Sequence, residues 1–169
     1  MKIMQARLKD AIGIAKVQVD TWKTTYGGLV PESYLQAMTY ESRERKWKEI
    51  LKKGTVYIAK NELDEIVGFS CGGEERSGNY PDYHGELYAI YILKEYQRSG
   101  LGKSLVKPVI SDLINRGIFS MVVIVLEKNP SKSFYESLHG KKIDTLTTEI
   151  AGKPLQESVY GWKDINQLL

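Results

Sequence analysis

The stretch that most restricts the fold is residues 119–126, FSMVVIVL, the most apolar run in the chain and one dense in β-branched side chains. Such a run is expected as a strand buried within a sheet. The chain must therefore supply further strands to pair with it and helices to cover it. Residues 3–8 alternate loosely enough for a first strand, and Asp10 is placed to cap a helix whose apolar stripe is Ile12, Ala15, Val19, Trp22 and Tyr26. Gly27 and Gly28 end that helix, and Pro31 suits the start of a short one. The charged segment 41–53 predicts another, with Trp47, Ile50 and Leu51 as its buried side.

Residues 55–60 and 65–71 are β-rich runs joined by the polar turn Asn61-Glu62-Leu63-Asp64, which predicts a hairpin. Residues 72–83 are polar and read as a loop. Residues 84–92 predict a strong strand, and 101–116 a helix on which Leu105, Val109 and Leu113 stack, kinked by the internal Pro108. After the apolar run, Asn129-Pro130 stops the strand and opens a helix through Leu138. Residues 142–150 and 155–162, around Ala151-Gly152-Lys153-Pro154, predict a terminal hairpin. The expected architecture is a single mixed α/β domain over residues 1–169 with about seven strands, without linker or internal repeat.

Charge and cysteine content exclude several functions. Lys plus Arg total 24 against 21 Asp plus Glu, and this excess of +3 is too small to argue for nucleic acid as a partner. A local positive patch facing an anionic ligand remains open. The lone Cys71 can form neither an internal disulfide nor a metal cluster, which suits a reducing cytoplasm. It reads as a buried strand residue rather than a covalent acetyl carrier. His84 and His139 are too isolated for a metal site. The first residues lack the apolar core of a signal peptide, and no run of about eighteen apolar residues predicts a membrane span.

The chemistry concentrates at Gln97-Arg98-Ser99-Gly100-Leu101-Gly102-Lys103-Ser104, between a strand and a long helix. Glycines at such a turn let backbone approach a ligand closely, and the free amides of a helix start aim donors and the positive dipole end at an anion. The turn is therefore expected to hold a phosphate or pyrophosphate, with Arg98 and Lys103 adding charge. A nucleotide-hydrolysing P-loop shares Gly102-Lys103-Ser104, but its first glycine would have to stand at Gln97. The dinucleotide fingerprint fails as well, because Leu105 stands where a third glycine or alanine belongs.

Gln97-x-x-Gly100-x-Gly102 after a strand and opening a helix resembles the acyl-coenzyme A signature of the GNAT superfamily of N-acetyltransferases. The resemblance continues through Glu86-Leu87-Tyr88-Ala89-Ile90-Tyr91-Ile92 before the signature, through Asn129-Pro130 with Ser133-Phe134-Tyr135-Glu136 after it, and through the early Thr21-Trp22-Lys23-Thr24-Thr25-Tyr26-Gly27. It departs at Leu138-His139-Gly140, where relatives carry leucine, glycine and an aromatic. The resemblance implies a mixed, mostly antiparallel sheet of about seven strands flanked by about four helices.

It also implies acetyl-coenzyme A as co-substrate, a small-molecule amine or protein amino group as acceptor, and no metal. Ile90, Tyr91 and Ile92 would face the acetyl and pantetheine end. Gln97, Arg98, Ser99, Gly100, Leu101, Gly102, Lys103 and Ser104 would line the pyrophosphate, while Asn129 would reach the pantetheine arm with Phe134 packed nearby. Tyr135 would give a proton to the departing sulfur, and Glu86 would take one from the amine, its alternative being an ordinary strand-end carboxylate. Trp22, Tyr26 and Tyr83, with Tyr80, are the acceptor-side candidates, although the helical stripe explains burial of Trp22 and Tyr26 by itself. Relatives also pair as homodimers through the terminal hairpin. A non-catalytic acyl-coenzyme A sensor on the same scaffold is the alternative, and it would need no Tyr135.

Overall fold

The computed structural model describes residues 1–169. Its strands are β1 Lys2–Gln5, β2 Val56–Lys60, β3 Ile66–Glu74, β4 Gly85–Ile92, β5 Met121–Leu126, β6 Lys141–Ile150 and β7 Lys153–Trp162. They form one seven-stranded sheet in the order β1-β2-β3-β4-β5-β7-β6. Five α-helices accompany it, one more than the family resemblance implies: α1 Ala11–Tyr26, α2 Glu32–Ala37, α3 Tyr40–Lys53, α4 Leu101–Asn115 and α5 Lys132–Ser137. No helix is long and apolar enough to cross a membrane.

Two compact units divide the chain, residues 1–71 with 89–108, and residues 72–88 with 109–169. In the first, β2 pairs antiparallel with β1 and β3. Antiparallel α1 and α3 are tied at Tyr40, whose hydroxyl donates to Asp20 at 2.6 Å, and at Trp47, whose indole N–H donates to Gln18 at 2.8 Å. The start of α4 lies on a cluster of Ala59, Val67, Leu101 and Leu105, flanked by Ile3, Ile90, Ile92, Leu93 and Tyr96. Gly68 of β3 permits this approach: a Cβ there would stand 3.1 Å from both Leu105 Cδ1 and the Tyr91 carbonyl oxygen. The Ser70 hydroxyl, fully buried, donates to the Leu105 carbonyl at 2.7 Å.

In the second unit β4 and β5 run parallel, with Gly85, Glu86 and Leu87 opposite Met121, Val122 and Val123. β7 pairs antiparallel with both β5 and β6. The apolar run is a strand from Met121, with Phe119 outside it and 51% exposed. Glu157 of β7 faces Leu126 and Leu146 across the two ladders, and burial pushes its carboxyl above the usual glutamate value. An acid raised in the folded state contributes stability below its unfolded pKa and loses it as pH rises through the folded value. Glu157→Gln is therefore expected to raise the melting temperature at neutral pH, with the gain vanishing near about pH 4. Melting curves at the two pH values check this, and an equal gap at both would contradict it.

Three local expectations change. The first strand stops at Gln5, and the chain turns helical from Leu8, because the Asp10 carboxylate reaches back to accept from the Arg7 amide at 2.8 Å instead of capping α1 by its side chain. In α3 only Trp47 is buried, Ile50 being 42% exposed and Leu51 half-buried. β3 extends three residues past Cys71, to Glu74.

Candidate active site

The glycine turn lies in the first unit and leaves β4 through a short 3-10 turn, Lys94–Tyr96. Gln97 is fixed by its side-chain amide, which donates to the Ile92 carbonyl at 2.9 Å, and the Ser99 hydroxyl donates to the Tyr96 carbonyl at 2.7 Å. Two left-handed residues, Arg98 at φ 61° and Gly100 at φ 84°, reverse the chain into α4. Glycine meets that demand at position 100 without strain. Helical hydrogen bonding begins when the Ser104 amide donates to the Gly100 carbonyl at 3.2 Å. The amides of Leu101, Gly102 and Lys103 thus have no partner inside the helix, and they carry its positive dipole end. Arg98, Lys103 and Ser104 are exposed beside them. This donor set fits a pyrophosphate.

Ile90, Tyr91 and Ile92 belong to the same unit and are half-buried. Burial pushes the Tyr91 hydroxyl above the ordinary tyrosine value. The indole N–H of Trp22 opposes that push without reaching hydrogen-bond geometry, for Trp22 Nε1 is buried and has no hydrogen-bond partner. Around them the rings pack in series: Trp47 on Phe69 with centroids 4.9 Å apart, Phe69 on Tyr91 at 5.4 Å, and Trp22 on Tyr26 at 4.3 Å and Tyr34 at 5.8 Å. Tyr26 is core, 5% exposed, as the helical stripe suggests, whereas Trp22 keeps partial exposure.

In the second unit, Glu86 is 3% exposed on β4. Arg76 meets both its carboxylate oxygens, through Nη2 at 2.5 Å and Nε at 3.3 Å, and donates its backbone amide at 3.2 Å. The same guanidinium lies 4.0 Å from the centroid of the Tyr88 ring. Asn129 follows β5, is buried, and its side-chain oxygen accepts from the Ser131 amide at 2.8 Å, which fixes the turn into α5. Phe134 and Tyr135 sit on that helix. Tyr135 is 5% exposed, with its ring 5.5 Å from Phe134, 6.1 Å from Tyr160 and 6.4 Å from Trp162.

Tyr83 is half-buried with its ring against the backbone of Gly161 on β7, where a Cβ would come within 2.7 Å of the ring. The Tyr80 hydroxyl donates to Asp144 at 2.9 Å, and burial with that carboxylate pushes its pKa up to about 12. Both tyrosines therefore anchor the 75–84 segment to the β6–β7 hairpin. No group of three His, Cys, Asp or Glu side chains is arranged to hold a metal ion.

Sequence reasoning passed over Arg76 and Arg43. Arg76 sits in a loop with no periodicity to mark it. Arg43 lies one helical turn before Trp47, and that spacing was the available signal for an inward-facing arginine.

A family model described as FR47-like protein matches residues 78–149. Over 166 residues, 98% of this chain and 95% of the relative, the sequence is 41% identical to "Uncharacterized N-acetyltransferase YuaI" of Bacillus subtilis (strain 168). The fold is similar to that of ribosomal-protein-alanine N-acetyltransferase from Brucella melitensis, with a TM-score of 0.74 at 18% identity over 96% of this chain and 99% of that one. It is also similar to the PaiA N-acetyltransferase of Thermoplasma acidophilum solved in complex with coenzyme A, with a TM-score of 0.72 at 20% identity over 93% and 98% of the two chains.

Proposed function

We propose the following reaction for this chain, which belongs to the GNAT superfamily of N-acetyltransferases: an acetyl group passes directly from acetyl-coenzyme A to a primary amine while both are bound. The observation that carries this reading is the glycine turn after β4, where three amides at the start of α4 and the cations Arg98 and Lys103 offer donors and charge suited to a pyrophosphate. The coenzyme A in the PaiA relative supports the same ligand class.

Acetyl-coenzyme A supplies an activated thioester carbonyl. The amine nitrogen attacks its carbon, the carbon–sulfur bond breaks, and the thiolate leaves with the electron pair. Ile90, Tyr91 and Ile92 are proposed to flank the acetyl and pantetheine end, with Asn129 and Phe134 serving the pantetheine arm. Tyr135 is proposed to protonate the thiolate from its hydroxyl. An amine of the lysine type has a pKa of about 10.4, so its neutral form at pH 7 costs roughly 4 to 5 kcal/mol, and a base shortens that gap. Glu86 is proposed to take the proton. Arg76 donates twice to Oε1 and once to Oε2, so the remaining lone pair of Oε2 is where that proton would go.

Thermal shift with acetyl-coenzyme A, coenzyme A and ATP tests the ligand. The first two are expected to stabilise the protein and ATP to do so weakly or not at all; stabilisation by ATP alone would contradict the reading. Arg98→Ala combined with Lys103→Ala is expected to weaken coenzyme A binding about three- to tenfold and to reduce its salt dependence. Turnover at saturating donor should stay near wild type, since exposed cations contribute modestly to binding. Calorimetry at two salt concentrations checks the first part, and unchanged affinity would contradict it.

A further inference from the structure

The Trp22 indole N–H is buried and has no hydrogen-bond partner. An unsatisfied buried donor costs about 1 to 3 kcal/mol, so a native structure retains one where something else completes it. Arg43 raises the same question. It is half-buried on α3, and no carboxylate forms an ion pair with its guanidinium. The acids nearest it in sequence along α3, and Asp20 on α1, have other partners or stand outside. Glu44 pairs with Lys48 at 2.8 Å, Asp20 accepts from Tyr40, and Glu41 is exposed.

Helical spacing places Arg43 and Trp22 along the facing sides of α3 and α1. Trp47 and Gln18 join α3 to α1, and Tyr40 and Asp20 join them again nearer the start of α3. Arg43 is one turn before Trp47 and Trp22 one turn after Gln18, so both continue the same inner faces towards the same end of the helix pair. Trp47 packs on Phe69 and Phe69 on Tyr91, so the face that Arg43 shares with Trp47 leads to Tyr91. The positive charge of Arg43 and the Trp22 N–H both act on the Tyr91 hydroxyl. Tyr91 in turn belongs to the strand segment assigned above to the acetyl end of the donor.

We propose that Arg43 and the Trp22 indole N–H receive a carboxylate of the acceptor, which makes the acceptor an amine that also carries a carboxylate, of the amino-acid class. This inference rests on the transferase reading only for the fate of the amine. A carboxylate offers several lone pairs in the plane a guanidinium fork matches, and the remaining one accepts the indole proton. The half-buried rings of Trp22 and Tyr34, 5.8 Å apart, give the substrate body an apolar surface. A polyamine or aminoglycoside would meet Arg43 with like charge.

The test measures equilibrium binding by calorimetry to the protein saturated with coenzyme A. The probes are amino acids set against the same amines without the carboxylate, such as leucine against isoamylamine and tyrosine against tyramine. At least one amino acid is expected to bind about ten- to hundredfold more tightly than its decarboxylated partner, the range a charge-assisted hydrogen-bond pair contributes. Arg43→Gln should erase that preference, and Arg43→Lys should restore part of it. The melting temperature should barely change, because Arg43 makes no ion pair to lose. Amines that bind as well as their amino acids, or a preference that survives Arg43→Gln, would overturn the inference. Thiol release from acetyl-coenzyme A separates the two readings: release with amines and no carboxylate preference sinks only this one, whereas carboxylate-selective binding with no release for any amine sinks the transferase reading and leaves the anion site standing.

Discussion

Replacing Tyr135 with phenylalanine is expected to lower turnover about ten- to hundredfold while leaving coenzyme affinity unchanged. The substitution removes one oxygen and keeps the ring, which is packed among Phe134, Tyr160 and Trp162, so the fold should lose little. The loss should appear in kcat and not in the binding constant for coenzyme A, because the hydroxyl is needed when charge develops on sulfur. It should also shrink for thioester donors whose thiols are more acidic, since such leaving groups need the proton less. Steady-state rates with acetyl-coenzyme A and with an activated thioester, beside calorimetry for coenzyme A, measure all three. Unchanged turnover where chemistry limits the rate would remove Tyr135 from the reaction. Equal losses in turnover and in affinity would make it a packing residue.

The second large effect is expected at Gly140. A Cβ there would stand 2.6 Å from Trp162 Cζ2 and 2.9 Å from the Tyr135 carbonyl oxygen. Neither neighbour can retreat easily. Trp162 is 2% exposed and its indole N–H donates to the Leu138 carbonyl at 2.8 Å, while the Tyr135 carbonyl accepts from the Gly140 amide at 3.0 Å. Gly140→Ala should therefore cost about 1 to 3 kcal/mol by overpacking, which for a chain of this size lowers the melting temperature by roughly 2 to 12 °C. Because one of the crowded atoms, the Tyr135 carbonyl oxygen, belongs to α5, turnover should fall as well, even at temperatures where the protein remains folded. Parallel melting and rate measurements check this. A variant with wild-type melting and wild-type turnover would show that the segment repacks freely.

Gly140 also marks what sequence could and could not disclose. The stop at Asn129-Pro130 and the helix after it were readable from breaker and capping chemistry, but the closeness of Gly140 to Trp162 depends on a contact 22 positions away in sequence. The strand of residues 121–126 and the glycine turn were legible for local reasons: β-branched density in one, and the backbone freedom of Gly100 at a helix start in the other. Asp10 does stand at the N-cap of α1, but its carboxylate turns back to the Arg7 amide, a choice that residue type alone does not disclose. Ile50 and Leu51 misled because α3 meets α1 and Phe69 along a narrow stripe, in which Trp47 alone is buried.

The site shows the same division. Residues 97–104 form a continuous motif and could be named from the chain itself. The partner that sets the surroundings of Glu86 could not, because Arg76 reaches it from an aperiodic loop ten positions earlier. A side chain read in isolation as base or core acquires its role from such contacts. Glu86 is a strand carboxylate held in a guanidinium fork, and Trp22 is a half-buried aromatic whose indole N–H has been left unpaired.

The most direct test of the account is amine-dependent release of free thiol from acetyl-coenzyme A, read together with mass spectrometry of the amine, for the wild-type protein and Tyr135→Phe across a panel that includes amino acids. Thiol release matched mole for mole by N-acetylated product, and much slower in the variant, is the predicted result. Tight coenzyme binding with no acetylated amine and no release anywhere in the panel would contradict it and leave a coenzyme A sensor in its place.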